Sequence, residues 1–382
     1  MRFRNGVLQL AMALCVLATT ASTQALPYRP QQAQDIVDVL PAGSQRFDPR
    51  QATSRSTPLS RDEVIRKSTA LIAQAYQSGD PRDIGQAEAL MAPYAKDNSA
   101  DFRLLRANIF QATHRFEQAK QQLNLILKQS PNQPDSLFML SSINLVQGNF
   151  AEARRHCGQL QDMSLLMLKM ICVAQVDGMT GKLKQSAQTI RQLLNLRQSL
   201  TADQQQWLAL ITADMALRLD DAALAQLNFE QMDKDSAPAL ATRADWLLAH
   251  QQWEKTRTLL AKQTDNDSLL LRLLISERQL KSPQAVAHGK LLGQRISLWK
   301  QRGETAHQRE QAQYAYVMGD FNKALQLGRL NWQKQRETAD IVIYSQAAKR
   351  TNSAADLKII RDWIQKNRFE YPLLTKTLSM GE

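Results

Sequence analysis

Glycine is scarce in this chain, 14 of 382 residues, and strand signals are missing. Leu and Ala dominate the apolar content and Gln is abundant, a balance that favours helix throughout. The one β-branched run, Ile341-Val342-Ile343-Tyr344, keeps helical spacing with Ala347 and Ala348. The expected fold class is therefore all-α. No segment beyond the amino terminus is long and apolar enough to span a bilayer, which takes ~20 residues, so no membrane span is expected in the mature chain.

Catalytic motifs are also missing. There is no His-Glu-x-x-His and no Gly-x-Ser-x-Gly. Gly181-Lys182 follows Gly178, but Val176 and Leu183 replace the first Gly and the Ser or Thr of a phosphate-binding loop, so this stretch reads as a turn. Ser297-x-x-Lys300 matches the shortest penicillin-binding-protein motif, without its companions. Asp265 and Asp267 sit at a turn and read as helix caps. The five His residues are scattered, and His156 beside Cys157 has no further ligands at metal spacing. We expect no enzyme, no metal and no cofactor.

The first 25 residues have the form of a secretory signal peptide. Arg2 and Arg4 precede an uncharged apolar stretch from Gly6 to Ala18, and Thr23-Gln24-Ala25 is a small-x-small site. The stretch is too short for a membrane anchor, and Cys15 follows Leu14, where lipid attachment wants Gly or Ala. Cleavage after Ala25 and a periplasmic location are expected. Residues 26–58 carry Pro27, Pro30, Pro41, Pro49 and Pro58 with no sustained period, and read as an extended or disordered tether. Order begins at Ser60-Arg61-Asp62-Glu63, a capping box. Residues 59–98 form a helical pair broken at Gly79-Asp80-Pro81 and ended by Pro93.

The charge is +12, dispersed with no run of five cations; Arg154-Arg155 and Lys349-Arg350 are the densest pairs. A solvated basic surface is the plain reading. The specific one is an anionic partner: peptidoglycan, lipopolysaccharide, an acidic protein or a membrane surface. Export argues against nucleic acid.

What the chain has is an echo. Phe116-x-x-Ala119 recurs 34 residues on as Phe150-x-x-Ala153. The pattern returns as Leu183-x-x-Ser186, Trp253-x-x-Thr256 and Gly319-Asp320-Phe321-x-x-Ala324, at steps of 33, 70 and 68. Twelve residues before each small residue lies another: Ala107, Ser141, Ala174, Ala244 and Ala312. Paired small residues let antiparallel helices approach closely, and a period near 34 reads as a helix-turn-helix solenoid. Turns are expected at Thr113-His114, Gly148-Asn149, Gly178 to Gly181, Asp220-Asp221, Gln251-Gln252, Ser282-Pro283 and Gly319-Asp320. The aromatic at each turn, Phe116, Phe150, Trp253 or Phe321, reads as core between two helices.

The pattern resembles the tetratricopeptide repeat. The best matches run from Asp101 to Pro131, Asp135 to Leu160 and Ala306 to Asn331; near Asp220-Asp221 and Pro283 the small pair is missing or displaced. The resemblance implies a right-handed α-solenoid over residues 99–335, of roughly seven repeats, closed by C-terminal helices over 336–382. It implies a non-enzymatic scaffold or adaptor of a Gram-negative envelope, binding a partner helix or peptide on the concave face of its first helices. Those helices offer Leu104, Asn108, Gln111, Phe138, Ser142, Leu145, Ile171, Gln175, Arg309, Gln313 and Tyr316. Asn108 matches the Asn of carboxylate-clamp repeats, while Leu104 replaces the clamp's Lys. The alternative is a scaffold in envelope polysaccharide assembly or export, holding an acidic glycan, although closely placed aromatic platforms for sugars are lacking.

Cys157 and Cys172 remain after cleavage. Cys157 lies four residues after Ala153 on an inward face, and Cys172 precedes Ala174 in the next helix. A disulfide between them is expected in an oxidising compartment; the alternative is two buried free thiols.

Overall fold

The computed structural model describes residues 59–301 and 307–379. The expected signal peptide and Pro-rich tether lie outside the described residues. Helix α1 (Arg61–Ser78) starts on the capping box: Ser60 accepts from the Glu63 N–H, and the Glu63 carboxylate reaches back to Ser60 N. Gly79 ends it with a left-handed backbone, φ 72°. Asp80 then caps α2 (Pro81–Met91), with Pro81 in the first turn where its missing N–H costs nothing. Pro93 falls in a 3-10 turn, Ala92–Tyr94, just past the helix end.

Seven further pairs follow. They are α3 (Ala100–Ala112) with α4 (Phe116–Gln129), α5 (Pro134–Val146) with α6 (Phe150–Gly158), and α7 (Leu166–Gly178) with α8 (Leu183–Leu194). Next come α9 (Ala202–Leu219) with α10 (Ala222–Gln231), α11 (Ala237–Ala249) with α12 (Trp253–Leu260), α13 (Asp267–Gln279) with α14 (Gln284–Gln301), and α15 (Gln308–Met318) with α16 (Phe321–Trp332). The C-terminal helices are α17 (Thr338–Arg350), α18 (Ala354–Asn367) and α19 (Pro372–Ser379). Among the described residues there is no strand, so the all-α expectation holds. Adjacent helices pack together, and the first helices of successive pairs touch in series from α3 to α17.

The small residues explain the pairing. Ala107, Ser141, Ala174, Ala244 and Ala312 are all buried, and so are their partners Ala119, Ala153, Ser186, Thr256 and Ala324. Ser141 Oγ donates to Ala153 O at 3.0 Å, a direct measure of how closely α5 and α6 approach. A larger side chain at either position would force them apart.

The turns share one device. Each pair reverses through a single residue at positive φ: His114, Gly148, Gly181, Asp220, Gln251, Lys281, Gly319 and Asn352 after the first. The next N–H then bonds five residues back, as in Arg115 N to Phe110 O at 2.7 Å and Asp320 N to Ala315 O at 2.9 Å. This closes the helix end by satisfying orphan carbonyls. Non-glycine residues fill several of these positions, which is how a chain with so little Gly makes so many turns.

Candidate interaction surfaces

The cysteines meet as expected. Cys157 on α6 and Cys172 on α7 have sulfurs 1.98 Å apart and Cα atoms 5.7 Å apart. Both are buried. Ser141 Oγ lies 3.0 Å from one sulfur and 3.3 Å from the other, so the bridge sits at the α5–α6–α7 junction.

The C-terminal segment does more than cover one end. Successive turns of the early pairs meet successive residues of that segment. His114, after α3, faces Gln335 Nε2 at 3.3 Å. After α5, Arg336 N donates to Val146 O at 2.7 Å and its Nη1 to Gln147 O at 2.6 Å. Phe150 lies against Trp363, ring centroids 6.0 Å apart. After α7, Leu183 N donates to the Glu370 carboxylate at 2.7 Å. On α9, Arg218 donates to Gly178 O at 2.9 Å and sits over the Phe369 ring, 5.0 Å from its centroid. Arg218 is the largest fully buried side chain of the described residues; its charge is held by Asp214, the Gly178 carbonyl and the ring. Three turns and the last turn of α9 are thus tied to residues 335–370. At the other end of the unit, Asn266 Nδ2 donates to Ser78 O at 2.8 Å. Asn266, rather than Asp265 or Asp267, caps α13; Asp267 instead pairs with Arg295 at 2.6 Å.

The expected concave-face residues are dispersed among different tasks. Leu145 and Ile171 are core. Asn108 gives its side-chain N–H to Leu104 O of its own helix at 3.0 Å. Phe138 packs edge-on against Trp207, and Tyr316 against Phe321, at 5.1 and 5.2 Å. Arg309 lies among carboxylates: Glu337 at 2.9 Å, Glu310 at 3.3 Å and Asp340 at 3.5 Å. Burial opposes its charge, but these three anions prevail and hold its pKa well above the usual value. Burial pushes the Asp340 carboxyl up to about 6, against the pull of Arg309. Leu104, Gln111, Ser142, Gln175 and Gln313 are half-buried.

Two other surfaces stand out. The first is apolar. Met163, in the 3-10 turn before α7, and Leu166 and Met170 on α7 are spaced i, i+3, i+7, with exposures of 77, 45 and 38 %. Ser199 Oγ reaches Met167 Sδ at 3.5 Å, which places the α8–α9 connection at the same end of α7. That connection carries Leu196, 60 % exposed. The second surface is a cleft between α10 and α11 of about 310 Å³, open to solvent, lined by Gln226, Phe229, Glu230, Lys234 and Arg243. Sequence reading missed both. The strip was legible as an i, i+3, i+7 apolar pattern, but the same pattern marks core elsewhere in the chain.

Among the described residues no group of three or more His, Cys, Asp or Glu side chains converges as a metal site, and no helix is long and apolar enough to cross a membrane. His156 is buried beside Gln159 and Arg155, and burial lowers its pKa. Ser297 is exposed on α14; the Lys300 side chain lies outside the described residues. Comparison with known families gave no matching family model, and no curated protein matches the chain.

Proposed function

We propose that this chain is a non-enzymatic interaction scaffold or adaptor of the periplasm, built as a right-handed solenoid of tetratricopeptide type. The observation that carries the reading is the exposed strip of Met163, Leu166, Met170 and Leu196. Contiguous apolar side chains on a polar surface usually mark an interface, and Met-rich ones adapt to a partner's shape. The i, i+3, i+7 spacing suits an amphipathic partner helix laid along α7. We assign the partner to this strip rather than to the concave positions, because Asn108, Phe138, Leu145, Arg309 and Tyr316 already have partners within the chain.

Photo-crosslinking in intact cells tests this. A crosslinker at Met163 or Met170 should give one discrete protein adduct, lost in the Leu166→Glu variant, and none at exposed Gln121 on α4. The same adduct from Gln121, or none from the strip, rejects the assignment. N-terminal sequencing of the fractionated protein tests export, and a start at Met1 in the cytoplasm rejects it. A second reading, a scaffold in envelope polysaccharide assembly or export, is favoured by a separate feature, the cationic cleft between α10 and α11.

A further inference from the structure

We propose that the α10–α11 cleft is a subsite for one uronic-acid unit of an acidic glycan; this rests on the second reading above and gives it a place on the molecule. Gln226, Phe229 and Glu230 share one face of α10, and Arg243 faces them from α11. Arg243 Nη2 donates to Phe229 O at 2.6 Å, which fixes the guanidinium 5.7 Å from the Phe229 ring centroid. Its Nε is buried and has no partner. Lys234, on the connecting loop, makes no ion pair among the described residues. Arg243 and Lys234 thus bring two cations without a carboxylate partner to one cleft, and the carboxylate of a ligand can pair with both at the exposed ends of their side chains.

The rest of the lining selects which carboxylate. Gln226 Nε2 donates to Glu230 Oε1 at 2.7 Å. The other Glu230 oxygen is left to accept from a hydroxyl. A uronate ring can set its carboxylate against Lys234 and Arg243, give a hydroxyl to Glu230 and lay its C–H face near Phe229. An acidic peptide side chain can offer the same carboxylate but has no hydroxyl for Glu230. The cleft volume is at the lower end of small-ligand sites, which run from about 300 to 1,000 Å³.

Calorimetric titration with tri-galacturonate tests this, beside maltotriose as the neutral sugar and an N-acetylated tri-glutamate amide as the acidic peptide. Tri-galacturonate should bind best. Lys234→Ala, on an exposed loop where folding is not at stake, should weaken it about tenfold, and Arg243→Lys should do likewise. Leu166→Glu on the apolar strip should leave it unchanged. Absence of tri-galacturonate binding, equal binding of the peptide, or full binding by Lys234→Ala overturns the proposal. Retention of acidic envelope polysaccharide on immobilised protein separates this from the broader reading. Equal retention by wild type and Lys234→Ala removes only the cleft; no retention by either removes both.

Discussion

Leu183 donates its main-chain N–H to the Glu370 carboxylate at 2.7 Å across 187 positions of sequence. Leu183 is the first residue of α8, whose N-cap Lys182 supplies no side-chain acceptor. Glu370 therefore does for α8 what a local Ser or Asp does elsewhere, and it brings a negative charge to the positive end of the helix. Glu370→Ala should cost about 1–2 kcal/mol and Glu370→Gln less, since the amide oxygen can still accept. Urea unfolding of the two variants checks this; an Ala variant as stable as wild type would show that the contact contributes nothing.

Two glycines should be irreplaceable for more than one reason. Gly181 has φ 85°, and a Cβ there would come 2.8 Å from Arg368 Cβ; at Gly148, φ 77°, it would come 3.1 Å from Arg336 Cδ. Gly319 has φ 91° but open space around it. Gly319→Ala should cost only the left-handed backbone, about 1–2 kcal/mol. Gly181→Ala should cost more, because the C-terminal segment must also retreat. The order of denaturation midpoints tests this, and equal losses at the two positions would refute it.

The Cys157–Cys172 bridge spans 15 residues. Loop-closure entropy puts its contribution at up to about 3 kcal/mol, an upper value for a segment that is helical in itself. Denatured, unreduced mature protein should show no reactive thiol, and reductant should lower the melting temperature. Two thiols under those conditions would rule the bridge out; a single thiol would point to retained Cys15 and thus to an uncleaved leader.

Acid should loosen the contact between the first repeats and the C-terminal segment. Burial, with Arg309 nearby, lowers the His114 pKa to about 4 from an ordinary 6.5. A histidine held neutral in the fold supports stability fully above pH 6.5 and loses that support as pH falls towards 4, at most about 3 kcal/mol. Asp340 acts oppositely. With its pKa raised to about 6, it favours the fold below about pH 4 and loses that contribution as pH rises through 6. Subtracting the pH dependence of a His114→Gln variant from that of wild type isolates the histidine. A flat difference between pH 7 and 4 would exclude its role.

The sequence made the local architecture readable because it is periodic. The small pairs, the Ser60 capping box and the αL turns each depend on residues within about a dozen positions of one another. Even the Cys157–Cys172 contact follows from adjacent helices. Contacts between distant pairs left no such trace. Gly148 and Gly181 were legible as turns, but not as landing sites for Arg336 and Arg368. Arg218 reads in sequence as one more basic surface residue, yet it is buried between the Gly178 carbonyl and the Phe369 ring. The cleft escaped notice for a different reason: its residues from Gln226 to Arg243 are near in sequence but form no recognisable motif, and they converge only because α10 and α11 fold back on each other.

The ties between the early turns and residues 335–370 bear on how the chain is made. Polypeptides are synthesised from the amino end, and the turn after α5 is complete almost two hundred residues before Arg336 exists to cover it. Each nascent molecule passes through an interval in which Val146, Gln147 and Leu183 present bare main-chain groups and Phe150 lacks Trp363. A truncated product ending with α16 would remain in that condition, open to chaperones and proteases. For this protein the tail is the inspection seal on the whole array.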